Sequence, residues 1–231
     1  MRAFVLVRHG QSVFNAENRF TGWIDSPLTL AGAEEAQRAG RRLRSSGFRF
    51  DRIYSSVLVR CVESARIIRN ELGESAMPIT TSWRLNERHY GALQGLSKSD
   101  LISQFGAEQV HVWRRSHAAR PPAATSDDNR RLAWIAQSAI AVEDVPLTES
   151  LADTVVRVVP YWDGVIAPAI RLGESILIVA HGNSIRALLM HIGHISAEAI
   201  VDLNIPTGIP EVYELTDDLQ PLRRRYLVEE A

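Results

Sequence analysis

The chain has 231 residues, a formal net charge of −1 and 45% hydrophobic residues. That is enough for a full core, and no global field favours nucleic acid or an anionic membrane. The single cysteine, Cys61, excludes an internal disulfide and suits a reducing compartment. No apolar run approaches the ~20 residues of a membrane span. The first apolar run, Ala3 to Val7, is interrupted by Arg8-His9 and does not read as a signal peptide. The expectation is therefore a cytoplasmic protein with no membrane and no nucleic acid among its partners. Among the 26 basic residues, Lys98 is the only lysine.

Phe4-Val-Leu-Val7 reads as a short buried strand. It ends on Arg8-His9-Gly10-Gln11-Ser12, and ligands bind at the carboxyl ends of strands in open α/β sheets. Gly10 predicts a tight turn and close approach of a ligand. Arg8 offers a planar fork of donors suited to phosphate or carboxylate. His9 is a nucleophile or a general base. A polar loop runs from Asn15 to Trp23. Thr29 is placed to cap a helix reaching about Ser45, with Gly47 past its end. Asp51 to Tyr54 reads as a strand that ends in Ser55-Ser56. Val57 to Leu72 reads as a helix, with Leu58, Cys61, Val62, Ala65 and Ile68 at helical spacing and Gly73 as its stop. Arg60, in its first turn, is expected to point back towards His9, and Cys61 to be inert packing.

Ile79 to Leu85 is predicted as a strand after Pro78. The polar stretch Asn86-Glu87-Arg88-His89-Tyr90-Gly91 follows and supplies the first candidate carboxylate, Glu87. Ser97 to Val112 reads as a helix, and Arg114 and Arg115 then stand beside Trp113. From Ala118 to Val145 periodicity fails, apart from a hint of helix at Trp134-Ile135. Such runs in compact domains are lids, binding loops or disorder. Glu149 to Leu172 is predicted as a long amphipathic helix with a bend near Pro160 or Pro168. Ser175 to Ala180 is a second apolar strand, ending on His181-Gly182-Asn183-Ser184, with a helix from Ile185 to Met190. Ser196 to Leu203 reads as a short helix capped by Ser196. Glu211 to Leu215 and Leu222 to Val228 form a predicted hairpin, which makes the last strand an antiparallel edge.

Two strands thus end on His-Gly. As adjacent parallel strands they would bring His9 and His181 within a few ångströms on one rim. The groups at the strand ends are Arg8, His9, Asn15, Arg60, Glu87 and His181. Nothing in the chain has metal-ligand spacing; His191 and His194 read as helix-end caps rather than zinc ligands, and Walker and Rossmann glycine patterns are absent. An Arg- and His-rich pocket without a metal suits phosphoryl transfer through a phosphohistidine, because that chemistry needs charge on the equatorial oxygens neutralised and a nucleophile in line. A backbone carbonyl on His9 Nδ1–H would leave Nε2 free to attack. Neighbouring cations should keep His9 neutral. Glu87 could give and take the proton.

Leu6 to Ser12 together with Ala180 to Ser184 resembles the histidine phosphatase superfamily. Asn18 to Trp23, Leu85 to Gly95, Trp113 to Arg115, Leu147 to Leu151 and Leu203 to Gly208 resemble, more narrowly, the cofactor-dependent phosphoglycerate mutases of glycolysis and gluconeogenesis. The likeness runs over nearly the whole chain. The expected fold is one α/β domain over residues 1–231, three-layered, with a mostly parallel sheet flanked by helices, one antiparallel edge strand and a lid inserted at about 91–145. The implied function is interconversion of 3-phosphoglycerate and 2-phosphoglycerate through phospho-His9 and bound 2,3-bisphosphoglycerate. The alternative is a histidine phosphatase acting on bisphosphoglycerate or another small phosphorylated metabolite. By position, the resemblance makes His9, Glu87, His181, Arg8 and Arg60 catalytic. It makes Ser12, Asn15, Thr21, Gly22, Arg88, His89, Tyr90, Lys98, Arg114, Arg115, Gly182 and Asn183 substrate-binding. It implies 2,3-bisphosphoglycerate as priming phosphoryl donor, no metal, small-molecule phosphoglycerates as partners, and a homo-oligomer, dimer or tetramer. Two departures fall in the lid. Asn129 to Ala136 replaces a Tyr-Pro-Gly-His-Asp-like segment, and the sequence stops at Ala231 where many relatives carry an Ala/Gly/Lys-rich tail. Both predict less complete closure and some hydrolysis.

Overall fold

The structure is a computed structural model that describes residues 2–128, 134–135 and 140–228. Six strands form one sheet: β1 (Arg2–Arg8), β2 (Arg52–Ser55), β3 (Ile79–Thr81), β4 (Ile176–Ala180), β5 (Glu211–Leu215) and β6 (Pro221–Tyr226). Their spatial order is β3-β2-β4-β1-β5-β6. The pairs β1–β4, β2–β4 and β2–β3 are parallel; β5 is antiparallel to β1, and β6 to β5. The hairpin therefore supplies the antiparallel edge. Within it, β5 runs against β1 and β6 is the outermost strand.

Uninterrupted apolar strands require cover on both faces. Phe4 and Leu6 of β1 pack in one cluster with Ile176, Ile178 and Ala180, whereas Val5 and Val7 pack in another with Leu177 and Val179. The second face is covered by α2 (Leu30–Ser45) and α3 (Val59–Leu72) through Ala36, Ala39, Leu43, Cys61, Ala65 and Ile68. The first face is covered by α6 (Leu151–Tyr161), α7 (Ala167–Arg171) and α8 (Gly182–Ile192). Between β1 and α2 lies one turn of helix, α1 (Val13–Ala16). After β3 come α4 (Lys98–Phe105) and α5 (Ala107–Arg115), which enclose a smaller cluster of Phe20, Leu93, Leu101 and Val110. Among the described residues no helix is long and apolar enough to cross a membrane.

Four elements differ from expectation. β3 ends at Thr81, because the Ser82 hydroxyl accepts from Arg84 N and starts a 3₁₀ turn over Trp83–Leu85. The single helix expected from Ser97 is two, broken where Gly106 takes φ +84°, a conformation that favours glycine. The long helix from residue 149 loses regularity in a π turn over Trp162–Ile166, between the two prolines; Pro160 lies inside α6 and Pro168 fits the first turn of α7. Only Ala199–Val201 is helical in the 196–203 segment, as a 3₁₀ turn with Ser196 Oγ accepting from Ala199 N. His191 and His194 pair with Asp163 and Gln220 rather than capping helix ends. Trp134 and Ile135 are helical, and Trp134 packs on Trp23 at a ring separation of 4.9 Å. The rest of the 129–136 segment, apart from these two residues, lies outside the described residues.

Candidate active site

β1 and β4 end together. His9 N donates to Ala180 O, and the His9 and His181 rings meet edge to face with centroids 4.8 Å apart. His9 Nδ1 lies 2.7 Å from Gly10 O. A carbonyl can only accept, so the ring proton sits on Nδ1 and Nε2 carries the lone pair. His9 is held well below the usual imidazole range, first by burial, then by Arg60 and Arg8. These surroundings favour the neutral ring, with Nε2 unprotonated. His181 is lowered for the same leading reason, burial, followed by Arg60 and His9. Its Nε2 lies 2.7 Å from Ser56 Oγ and 3.3 Å from Cys61 Sγ. Cys61 packs behind His181, its thiol pushed up to about 12 by burial.

Gly10 serves a different approach from the one expected. A Cβ there would lie 2.0 Å from Gly32 O, so the glycine lets the loop after β1 press against α2. Ser64 Oγ accepts from Gly10 N and holds the loop from α3.

The other predicted groups converge on one cavity. It is lined by Arg8, His9, Asn15, Thr21, Gly22, Arg60, Glu87, Tyr90, Lys98, Arg114, Arg115, Gly182 and Asn183. Arg60 is buried and donates to Gly22 O and Ile24 O; Arg8 Nη1 donates to Ile205 O while its Nε is buried without a partner. Glu87 Oε1 accepts from Arg88 N, Asn183 N and Asn183 Nδ2, and Asn183 Nδ2 also donates to Tyr90 OH. Gly22 takes φ +56°, and a Cβ there would strike Gln94 Oε1, which accepts from Trp23 N. Gly182 opens the N-terminal turn of α8, whose partial positive charge favours an anion.

Three predicted substrate contacts do not line the cavity. Ser12 caps α1, accepting from Asn15 N. Arg88 turns away and donates to Trp113 O and Arg114 O, so it ties α5 to the Glu87 loop. His89 is buried, with Nδ1 accepting from Gly91 N and Nε2 beside Gln94 Nε2. His181 sits behind His9 rather than in the lining.

The cavity also takes Arg19, Phe20, Arg186 and Asn204, which sequence reasoning did not select. Arg186 donates to Leu203 O through Nε and Nη2 and reaches Asn183 Oδ1 through Nη1. Its place three residues after Asn183 on the same helix face was the available signal. Asn204 lies inside the Leu203 to Gly208 motif. Among the described residues, seven cations line the cavity and one carboxylate, Glu87, lies with them. Burial dominates the depression of Lys98 to about 8, with Arg114 and Arg8 adding to it, and Arg186 falls to about 10, by burial and then Arg115. Among the described residues no cluster of His, Cys, Asp and Glu could hold a metal ion. The cavity offers an imidazole held towards its neutral form, a carboxyl group and a dense cationic lining, which suits an anionic ligand.

Solved structures of the same fold include a mycobacterial glucosyl-3-phosphoglycerate phosphatase, 22% identical with TM-score 0.70, covering 97% of this chain and 96% of that one. A putative alpha-ribazole-5′-P phosphatase from Escherichia coli is 22% identical with TM-score 0.70, covering 99% and 96%. A phosphoglycerate mutase from Bacillus anthracis is 20% identical with TM-score 0.63, covering 92% and 88%. At such identities the likeness is one of fold. The sequence profile of the histidine phosphatase superfamily (branch 1) matches residues 4–225, which contain both His-Gly strand ends and Glu87. The chain belongs to the histidine phosphatase superfamily, branch 1, whose members transfer or hydrolyse phosphoryl groups.

Proposed function

We propose that the protein is a phosphoglycerate mutase working through a phosphohistidine at His9, primed by 2,3-bisphosphoglycerate. The observation that carries this reading is the lining: seven cations and one carboxylate in a single cavity, among the described residues. One phosphate monoester needs fewer. A ligand with two phosphates and a carboxylate uses them, and the buried, unpartnered Arg8 Nε and Thr21 Oγ1, both in the lining, suit further acceptor oxygens. In this reading His9 Nε2 attacks phosphorus as the bond to the leaving oxygen breaks. Glu87 protonates that oxygen, and Arg8 and Arg60, which line the cavity beside His9, hold the transferred group. The reverse transfer, from His9 to the other hydroxyl, completes the isomerisation. Free Cys61 suits a reducing cytoplasm.

The second reading is a phosphatase, in which water takes the phosphoryl group from His9. The comparisons support this reading better than the mutase one: of the three fold neighbours above, two are named as phosphatases and one as a mutase. Simultaneous measurement of 2-phosphoglycerate and free phosphate formed from 3-phosphoglycerate separates the two.

Two further outcomes are expected. Lys98 is charged below its depressed pKa of about 8 and neutral above it. The kcat/KM for a phosphoglycerate should therefore fall as pH rises through about 8, since kcat/KM reports the free enzyme. Lys98→Arg should remove that limb, and Lys98→Met should lower kcat/KM by roughly 10- to 100-fold, matching the ~1.5–3 kcal/mol of a hydrogen bond to a charged group. A profile flat through this range would remove Lys98 from binding. Arg114→Ala combined with Arg115→Ala should raise the ratio of phosphate released to 2-phosphoglycerate formed, because the bisphosphorylated ligand escapes or is attacked by water before the second transfer. An unchanged ratio would mean that these arginines do not retain it.

A further inference from the structure

The loop that carries Glu87 is held by a buried ion pair that belongs to none of the groups described above. Glu149 lies just before α6 and Arg157 within it, and both are largely buried. Arg157 Nε meets Glu149 Oε1 at 2.7 Å, and Arg157 Nη2 meets Glu149 Oε2 at 3.0 Å. The outward edge of the pair is spent on main-chain atoms of the loop. Arg157 Nη1 donates to Arg84 O at 2.8 Å and Nη2 to Glu87 O at 2.9 Å. Glu149 Oε2 accepts from His89 N at 2.8 Å, and Glu149 N donates to His89 O at 2.8 Å. The bond from Trp23 Nε1 also ends on Glu87 O, and the Arg157 guanidinium lies 5.6 Å from the Trp23 ring centre.

A buried ion pair costs desolvation and is often replaceable by apolar residues without loss of stability. Here its donors and acceptors are distributed on both sides of one residue. Arg84, Glu87 and His89 are fixed at their backbones, and the only side chain among them that reaches the cavity is that of Glu87. We propose that Glu149 and Arg157 are positioning residues for the phosphoryl-transfer reaction, setting the placement of the Glu87 carboxyl relative to the leaving oxygen. This rests on the reading of Glu87 as proton donor. In the step concerned, the His9 Nε2–phosphorus bond forms, the phosphorus–oxygen bond breaks with its electron pair going to oxygen, and the proton moves from Glu87 to that oxygen. The guanidinium fork is needed because its planar donors serve Arg84 O, Glu87 O and Glu149 at once, which a single ammonium cannot do.

The test compares two phosphoryl donors in rapid-quench measurements of phosphohistidine formation on the full chain. With 2,3-bisphosphoglycerate the leaving oxygen is an alkoxide that needs a proton. With 4-nitrophenyl phosphate it leaves as a stable anion that needs none. Arg157→Lys should slow labelling by the first ~10- to 100-fold, and by the second no more than about threefold, the pattern of a misplaced acid. Glu149→Gln, which keeps an oxygen for His89 N–H, should show the same selectivity in a milder form. Glu87→Gln is the reference. If it slows both donors alike, the proton-donor reading itself fails. If it is selective while Arg157→Lys and Glu149→Gln slow both donors equally or neither, the positioning role alone is overturned. Failure of both variants to fold would likewise overturn it, making the pair an element of the fold.

Discussion

Replacing His9 by alanine should lower phosphoryl transfer by roughly 10⁵- to 10⁶-fold, the scale seen when a covalent nucleophile is removed. It should also abolish covalent labelling by 2,3-bisphosphoglycerate. Gly10 O fixes the proton on Nδ1, so Nε2 is the only nitrogen with a lone pair. Burial, Arg60 and Arg8 each disfavour the imidazolium, so the nucleophile remains neutral at pH values below the ordinary imidazole range. The same arginines favour the phosphoryl group once it is attached. No nearby side chain can substitute: His181 packs behind with its Nε2 on Ser56, and the Cys61 thiol stays protonated near neutrality. The modified protein should carry one phosphoryl group, labile in acid and stable in base. An alanine variant that still labels to the wild-type extent would place the nucleophile elsewhere.

Glu87→Gln should fold normally and lose ~10²- to 10⁴-fold in kcat, the usual contribution of a positioned acid or base. KM should change much less. Amide and carboxylate are the same size, and Oε1 would still accept from Arg88 N and from Asn183, so the loop has no reason to move. What the amide lacks is a proton to give. Near-normal kcat with a large rise in KM would instead show that Glu87 serves binding.

The parts of this site that were legible in the sequence are those encoded locally. Two apolar runs that each end on His-Gly predict two buried strands, and their parallel pairing brings His9 and His181 together. The residues that depart from expectation do so through contacts the sequence does not order. Matching a motif names a residue type without giving the direction of its side chain, which is why Ser12 caps a helix and Arg88 faces α5. Gly106 was visible as a residue but not as a chain break, because a glycine inside a helical pattern is tolerated until its φ is known. The Glu149–Arg157 clamp lay further out of reach. Its two members are eight residues apart, but the atoms they hold belong to the loop of Arg84 to His89, brought close only by the packing of α6 against the sheet.

The central claim, that His9 returns its phosphoryl group to a phosphoglycerate hydroxyl rather than to water, is tested most directly by following 3-phosphoglycerate with the wild-type chain in the presence of catalytic 2,3-bisphosphoglycerate. The expected result is conversion to 2-phosphoglycerate up to the equilibrium ratio, dependent on the priming bisphosphate, with free phosphate as a minor product. Stoichiometric release of phosphate with no 2-phosphoglycerate would contradict it and identify the chain as a phosphatase.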